Sequence, residues 1–126
     1  MGQQQLLFVI LGVIVVGIAL TVGVILFKQN AIETKRTIVT NECISLASMA
    51  IEYYRKATSF GGGGNSFNGW SVPVQLQLTS TGIYTATVYS DSVVIIGTGN
   101  EVVTGTDSVK VRTSVYPSSY LTTILN

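Results

Sequence analysis

Residues 6–27 read LLFVILGVIVVGIALTVGVILF, twenty-two consecutive positions with no charge and one hydroxyl, Thr21. As an α-helix this stretch rises about 33 Å, close to the roughly 30 Å hydrocarbon core of a bilayer. It is apolar on every side, so no single face is set aside for a soluble core. The first expectation is therefore a transmembrane segment. A cleaved signal peptide fits less well. The preceding Met-Gly-Gln-Gln-Gln has no Lys or Arg, the apolar run exceeds the usual length of about 7–15 residues, and no A-x-A site precedes Lys28. Gly12, Gly17 and Gly23 interrupt the run without forming G-x-x-x-G, while Ala19 and Gly23 form one small-xxx-small pair. Small residues let helices approach closely in a membrane, and glycine is also simply common there.

Beyond Phe27 the pattern changes without a break. No Gly or Pro occurs between Gly23 and Gly61. Apolar positions recur at Ile32, Val39, Cys43, Leu46, Ala50, Tyr53 and Ala57, which is helical spacing. Ile38, Ala47, Ile51 and Tyr54 widen this stripe. Arg55 and Lys56 sit in the last turn, where positive charge suits the helix dipole. The four-glycine run Gly61–Gly64 stops the helix near Ser59 and reads as a flexible connection. Residues from about 4 to 58 would then form one rod roughly 80 Å long, greasy all round in its first half and one-sided in its second.

The remainder alternates short apolar runs with turn residues. Val72, Val74, Leu76 and Leu78 alternate with polar neighbours and read as a strand with Pro73 near its start. Ile83–Tyr89 reads as a second strand and Val93–Ile96 as a central one. Gly97-Thr98-Gly99-Asn100 reads as a turn, with Glu101–Thr104 and Val109–Val115 flanking another. Leu121–Leu125 closes the series. Phe67 and Trp70 are expected to anchor the glycine-rich loop. A helix followed by hairpins is an α+β order. The domain reading is an apolar helix over 1–30, its amphipathic continuation over 31–60, and a β-rich head over 61–126. A head that small has little core of its own, and the stripe from Ile32 to Ala57 is the obvious cover for one sheet face.

Composition narrows function. The chain of 126 residues has seven Lys or Arg, six Asp or Glu and no His. Charged residues make up 10%, against about 25% in ordinary soluble domains. Without His there is no Ser-His-Asp triad and the commonest zinc ligand is missing. One cysteine, Cys43, excludes an intrachain disulfide and a four-cysteine metal site; on the apolar stripe it reads as buried packing, with an interchain bond as the minor alternative. The acidic residues form no metal-binding repeat. Asp91-Ser92 and Asp107-Ser108 read as turn chemistry, with a turn calcium site as the lesser reading. Gly61–Gly64 follows a helix and lacks the phosphate-loop pattern. Scattered cations give no nucleic-acid footprint. No enzyme activity, cofactor or metal is expected.

Membrane orientation is ambiguous from charge. Lys28, Lys35 and Arg36 follow the apolar run, and a literal positive-inside count would leave the head in the cytoplasm. The head itself is rich in Ser and Thr and carries only Asp91, Glu101, Asp107, Lys110 and Arg112 as charges over 60–126. Such a hydroxyl-coated, charge-poor surface favours an extracellular setting.

Met1-Gly2 before an aliphatic run with Phe8 and Gly12, an amphipathic continuation and a small C-terminal sheet together resemble type IV pilins and related filament subunits. The resemblance covers the whole chain as architecture and about the first thirty residues as sequence. Gln3, Gln4 and Gln5 stand where the family has an early acidic residue. Only Met1 precedes Gly2, in place of a basic leader, and the apolar run has no proline. The resemblance implies a subunit held in the inner (cytoplasmic) membrane and then polymerised, with its assembly machinery, into an extracellular homopolymer. Gln3, Gln4, Gln5, Leu6, Leu7, Phe8, Ile10, Gly12, Ile14, Gly17, Ala19, Gly23 and Phe27 would lie in the filament core. Ile32, Val39, Cys43, Leu46, Ala50, Tyr53 and Ala57 would hold helix to head. Adhesion, motility, DNA uptake and biofilm scaffolding all suit such a polymer. The competing reading is a single-pass membrane-anchored extracytoplasmic protein or a pseudopilin of a secretion system.

Overall fold

The computed structural model describes residues 2–105 and 107–126, with Thr104 described by its backbone alone. Helix α1 (Gly2–Arg55) opens the chain, and four strands follow, β1 (Gly82–Val88), β2 (Val93–Thr104), β3 (Asp107–Val115) and β4 (Tyr120–Ile124). The strands form one antiparallel sheet in the order β1-β2-β3-β4. The architecture is α+β. The chain divides into two compact units, Met1–Ala31 and Ile32–Asn126, so the amphipathic part of α1 belongs with the sheet.

Within the second unit, alternation along the strands sets the core. Tyr84, Val93, Ile95, Val109, Val111, Thr113 and Val115 are buried on one face. Val39, Cys43, Leu46, Ala47 and Ala50 of α1 are buried in the same cluster, with Ile32, Ile51, Tyr53 and Tyr54 partly buried around it. Burying a Val, Leu, Ile or Phe side chain of this kind stabilises by about 1.5–3 kcal/mol. Phe67, Trp70 and Val72 join the cluster from the loop after α1, and the Tyr54 and Phe67 rings lie 4.7 Å apart at a tilt of 37°. Ala57, expected on the stripe, is exposed, because α1 has already ended at Arg55 and a short 3-10 turn (Thr58–Phe60) has begun.

Two sequence expectations are corrected. Residues 72–78 do not form a strand. Pro73 precedes a single helical turn, α2 (Val74–Gln77), and only Leu78 makes an isolated bridge, to Ile83. Proline has no N–H for a ladder and presets the helical φ that follows; Val74 and Leu78 are exposed, so the alternating pattern buries little. Residues 97–100 do not turn either. β2 runs straight through them for 12 residues, with Gly97 opposite Tyr84 and Val111, and Gly99 opposite Gly82. Pairing with β1 holds through Gly99, while the register against β3 shifts between Thr98 and Val102 and again between Val102 and Thr104.

The physical reason is the helix. Gly97 and Gly99 lie on the inward face of β2. A Cβ at Gly97 would stand 2.7 Å from the Cys43 Sγ and 2.8 Å from Val39 Cγ1. One at Gly99 would stand 3.0 Å from Lys35 Cγ. The two missing side chains open the trough in which α1 sits.

The four-glycine run is also more than a connection. The N–H groups of Gly63, Gly64 and Asn65 donate to the carbonyls of Tyr53 (2.8 Å), Lys56 (2.9 Å) and Tyr54 (2.8 Å). Carbonyls at a helix end lack the full set of helical partners, and of these three the Tyr53 carbonyl also accepts from the Lys56 N–H at 3.3 Å. Gly61 has φ +84°, the left-handed geometry typical after a helix end. Gly63 lies so close to the chain that a Cβ there would overlap the Ser66 carbonyl oxygen at 1.8 Å.

Candidate assembly surface

The first surface is the apolar stretch of α1. Its large side chains from Leu6 to Phe27 range from 48% exposed at Val22 to 78% at Phe27. Gln3, Gln4, Gln5, Leu6, Leu7, Phe8, Ile10, Gly12, Ile14, Gly17, Ala19, Gly23 and Phe27 are all exposed. Among the described residues, α1 is the one helix long and apolar enough to cross a membrane. The lone hydroxyl of the stretch does not break its apolar character, because Thr21 Oγ1 donates to the Gly17 carbonyl at 2.9 Å within the helix. Nothing lies within 4 Å of a Cβ built at Gly12, Gly17 or Gly23, so each leaves a notch that a second helix could fill.

The second unit presents a surface with few charges. One ion pair, Arg36 with Glu33, forms among the described residues. Arg36 Nε also donates to the Asn126 carbonyl at 3.2 Å, tying the end of β4 to the helix. Glu42 turns inward toward hydroxyls rather than toward a cation. Its carboxylate accepts from Thr81 Oγ1 at 2.8 Å and from the Tyr84 hydroxyl, beside a cavity of about 100 Å³ also lined by Leu46, Leu76 and Thr79. This cluster is not legible in the sequence because Glu42 lies 39 and 42 positions from Thr81 and Tyr84.

Cys43 is fully buried and free. Burial pushes its thiol up to about 11, and the neighbouring Glu42 carboxylate pushes the same way, while hydrogen bonds with Thr113 and the Gly97 backbone oppose them. A thiol with so little thiolate at neutral pH is a poor nucleophile and metal ligand. No group of three or more His, Cys, Asp or Glu side chains gathers into a metal-binding set among the described residues. Asp91 lies in the two-residue turn between β1 and β2, and Asp107 opens β3.

Exposed apolar side chains also gather on the head. Leu78 and Ile83 stand at one sheet edge, and Tyr120, Leu121, Ile124 and Leu125 at the other. Contiguous exposed apolar surface of this kind marks contact sites. Compared with known proteins, the chain matches no family model, no curated protein and no solved structure.

Proposed function

We propose that this protein is a structural subunit of an extracellular helical filament, polymerising through residues 3–27 of α1. One observation carries the reading. Twenty-two consecutive uncharged residues, all apolar but Thr21, are exposed on every side of a helix whose later turns, from Ile32, belong to a folded head. In a bundle of copies each such side chain is buried, at roughly 1.5–3 kcal/mol for every Leu or Ile relative to water. In a bilayer that gain is already present, so transfer from membrane to filament rests on close packing and head contacts. The glycine notches supply the packing, and Gln3–Gln5 supply hydrogen bonds between neighbouring chains without burying charge.

The subunit waits in the cytoplasmic membrane with its head outside, then joins other copies; it has no catalytic role. A membrane-anchored extracytoplasmic protein or pseudopilin is the second reading, favoured by the match of the apolar run to one bilayer thickness. Negative-stain microscopy of sheared cell surfaces, with mass spectrometry of the shed material, separates the two. Filaments containing this chain support the polymer. Retention of all the chain in the membrane fraction, with no filament containing it, overturns it.

A further inference from the structure

Between Ala57 and Ser90 the chain carries no charged residue, and within this stretch lies the one asparagine that is followed by glycine, Asn68-Gly69. Both residues are exposed. Their neighbours, Phe67 and Trp70, are 0% and 8% exposed and anchor the loop in the core. The four residues form a β-turn closed by the Trp70 N–H, which donates to the Phe67 carbonyl at 3.0 Å. Gly69 has φ +89°, close to the value of about +80° at the third position of a type II turn. No backbone carbonyl among the described residues accepts the Gly69 N–H. The Asn68 carbonyl accepts from the Tyr53 hydroxyl at 2.8 Å.

An asparagine side-chain amide and the next backbone nitrogen are spaced to close a five-membered ring. A side chain on the following residue hinders that closure, and glycine has none. In a type II turn the peptide between the two residues faces the wrong way, because a ψ of about +120° at Asn68 carries the Gly69 nitrogen away from the side chain. Rotating this single peptide toward the type I arrangement, with ψ about −30°, brings the nitrogen closer. Glycine accepts the negative φ that results, so Phe67 and Trp70 keep their places. The bond that must break is the one from Tyr53.

We propose that Asn68-Gly69 is a self-modification site at which the chain converts Asn68 to isoaspartate, with the Tyr53 hydroxyl as the latch that sets the rate. The Gly69 nitrogen attacks Asn68 Cγ. The N–Cγ bond forms, the Cγ–Nδ2 bond breaks, and Nδ2 leaves as ammonia with the proton from the Gly69 nitrogen. Water then opens the succinimide. Addition at Cγ gives aspartate in an ordinary main chain. Addition at the main-chain carbonyl gives isoaspartate, whose main chain runs through Cγ and is longer by one carbon. Nothing is oxidised or reduced, and water is the only co-reactant. Either product brings a carboxylate into the uncharged stretch and lowers the formal net charge from +1 to zero. Isoaspartate also lengthens the turn between two buried anchors, so the Phe67 and Trp70 rings no longer fit their seats together. The site is independent of the polymer reading.

Ageing the full-length chain in detergent micelles at mildly alkaline pH tests it, with peptide mapping by mass spectrometry and enzymatic methylation of isoaspartate. Asn68 is expected to convert ahead of every other asparagine, Asn65 of the same loop included, and the converted fraction to unfold at lower denaturant concentration. Tyr53→Phe keeps the ring and removes only the hydroxyl, and its Asn68 is expected to convert several-fold faster. Wild type in denaturant is likewise expected to convert several-fold faster than the native chain. Asn68→Gln, whose ring would be one carbon larger, should stay unconverted over the same period. A native chain that leaves Asn68 intact while the denatured chain converts it overturns the site, as does earlier conversion of Asn65. Equal native rates in wild type and Tyr53→Phe overturn the latch. Should Tyr53→Phe fail to fold, equal native and denatured rates in wild type overturn it instead.

Discussion

Replacing Gly97 with alanine puts a methyl group where three side chains already stand. Its Cβ would lie 2.7 Å from Cys43 Sγ, 2.8 Å from Tyr84 Cε1 and 2.8 Å from Val39 Cγ1. Carbon atoms in a packed interior sit about 3.5–4.0 Å apart, so helix and sheet must separate or the side chains must leave their rotamers. Val39 and Cys43 are fully buried and Tyr84 is 2% exposed, which leaves them little room to retreat. With three buried neighbours inside contact distance, the overpacking cost lies in the upper part of its usual range, about 2–3 kcal/mol. Alanine returns about 0.5–1 kcal/mol by narrowing the unfolded ensemble. The net loss is about 1–2 kcal/mol, which for a domain of this size lowers Tm by roughly 4–15 °C. Thermal unfolding of the full-length chain in detergent micelles, followed by near-ultraviolet circular dichroism, measures it. The Cys43→Ala background removes the nearest obstructing atom, so the penalty of Gly97→Ala should shrink there. A Tm unchanged or raised by Gly97→Ala, or an equal penalty in both backgrounds, would refute the account of how α1 is seated.

Three further outcomes are expected. Gly63→Ala, whose Cβ would collide with the Ser66 backbone instead of a movable side chain, should cost about 2 kcal/mol or more, measured by chemical denaturation. Replacing Gly12, Gly17 and Gly23 together with leucine should leave head unfolding unchanged, since each position is open within 4 Å in the single chain, yet should reduce filament yield in sheared fractions; normal yield would remove any packing role for these notches. The raised thiol of Cys43 makes stability pH-dependent. Between its ordinary value of 9.0 and about 11 the unfolded chain loses this proton while the folded chain keeps it, so stability falls as pH rises through that window. Wild type should therefore lose up to about 2 kcal/mol more than Cys43→Ala between pH 8.5 and 11, and parallel curves for the two would contradict the burial.

How legible the fold was depended on whether a residue's role was local. The apolar run and the stripe through Val39, Cys43, Leu46 and Ala50 follow helical period, and period survives without knowledge of the partner surface. Strands β1 and β3 alternate cleanly for the same reason. Gly97 and Gly99 were misread because glycine pairs usually mark turns, whereas here their spacing of two places both on one strand face beneath a helix. Only the tertiary contact explains them. The 72–78 segment shows the reverse error. Its alternation mimics a strand, but Val74 is 79% exposed, and Pro73 decides the backbone. Of the candidate site, the apolar residues 6–27 are plain in the sequence; the Glu42 cluster is not, since its hydroxyl partners Thr81 and Tyr84 lie 39 and 42 positions away.

The way Glu42 is held has a consequence for the setting in which the protein works. Its partners, Thr81 and Tyr84, are neutral hydroxyls, and the single ion pair among the described residues, Arg36 with Glu33, joins side chains one turn apart on α1. Dissolved ions screen attraction between exposed charges but have little hold on buried apolar contacts or on hydrogen bonds to uncharged groups. The fold of the head is thus nearly indifferent to ionic strength, and should hold from dilute fresh water to brine.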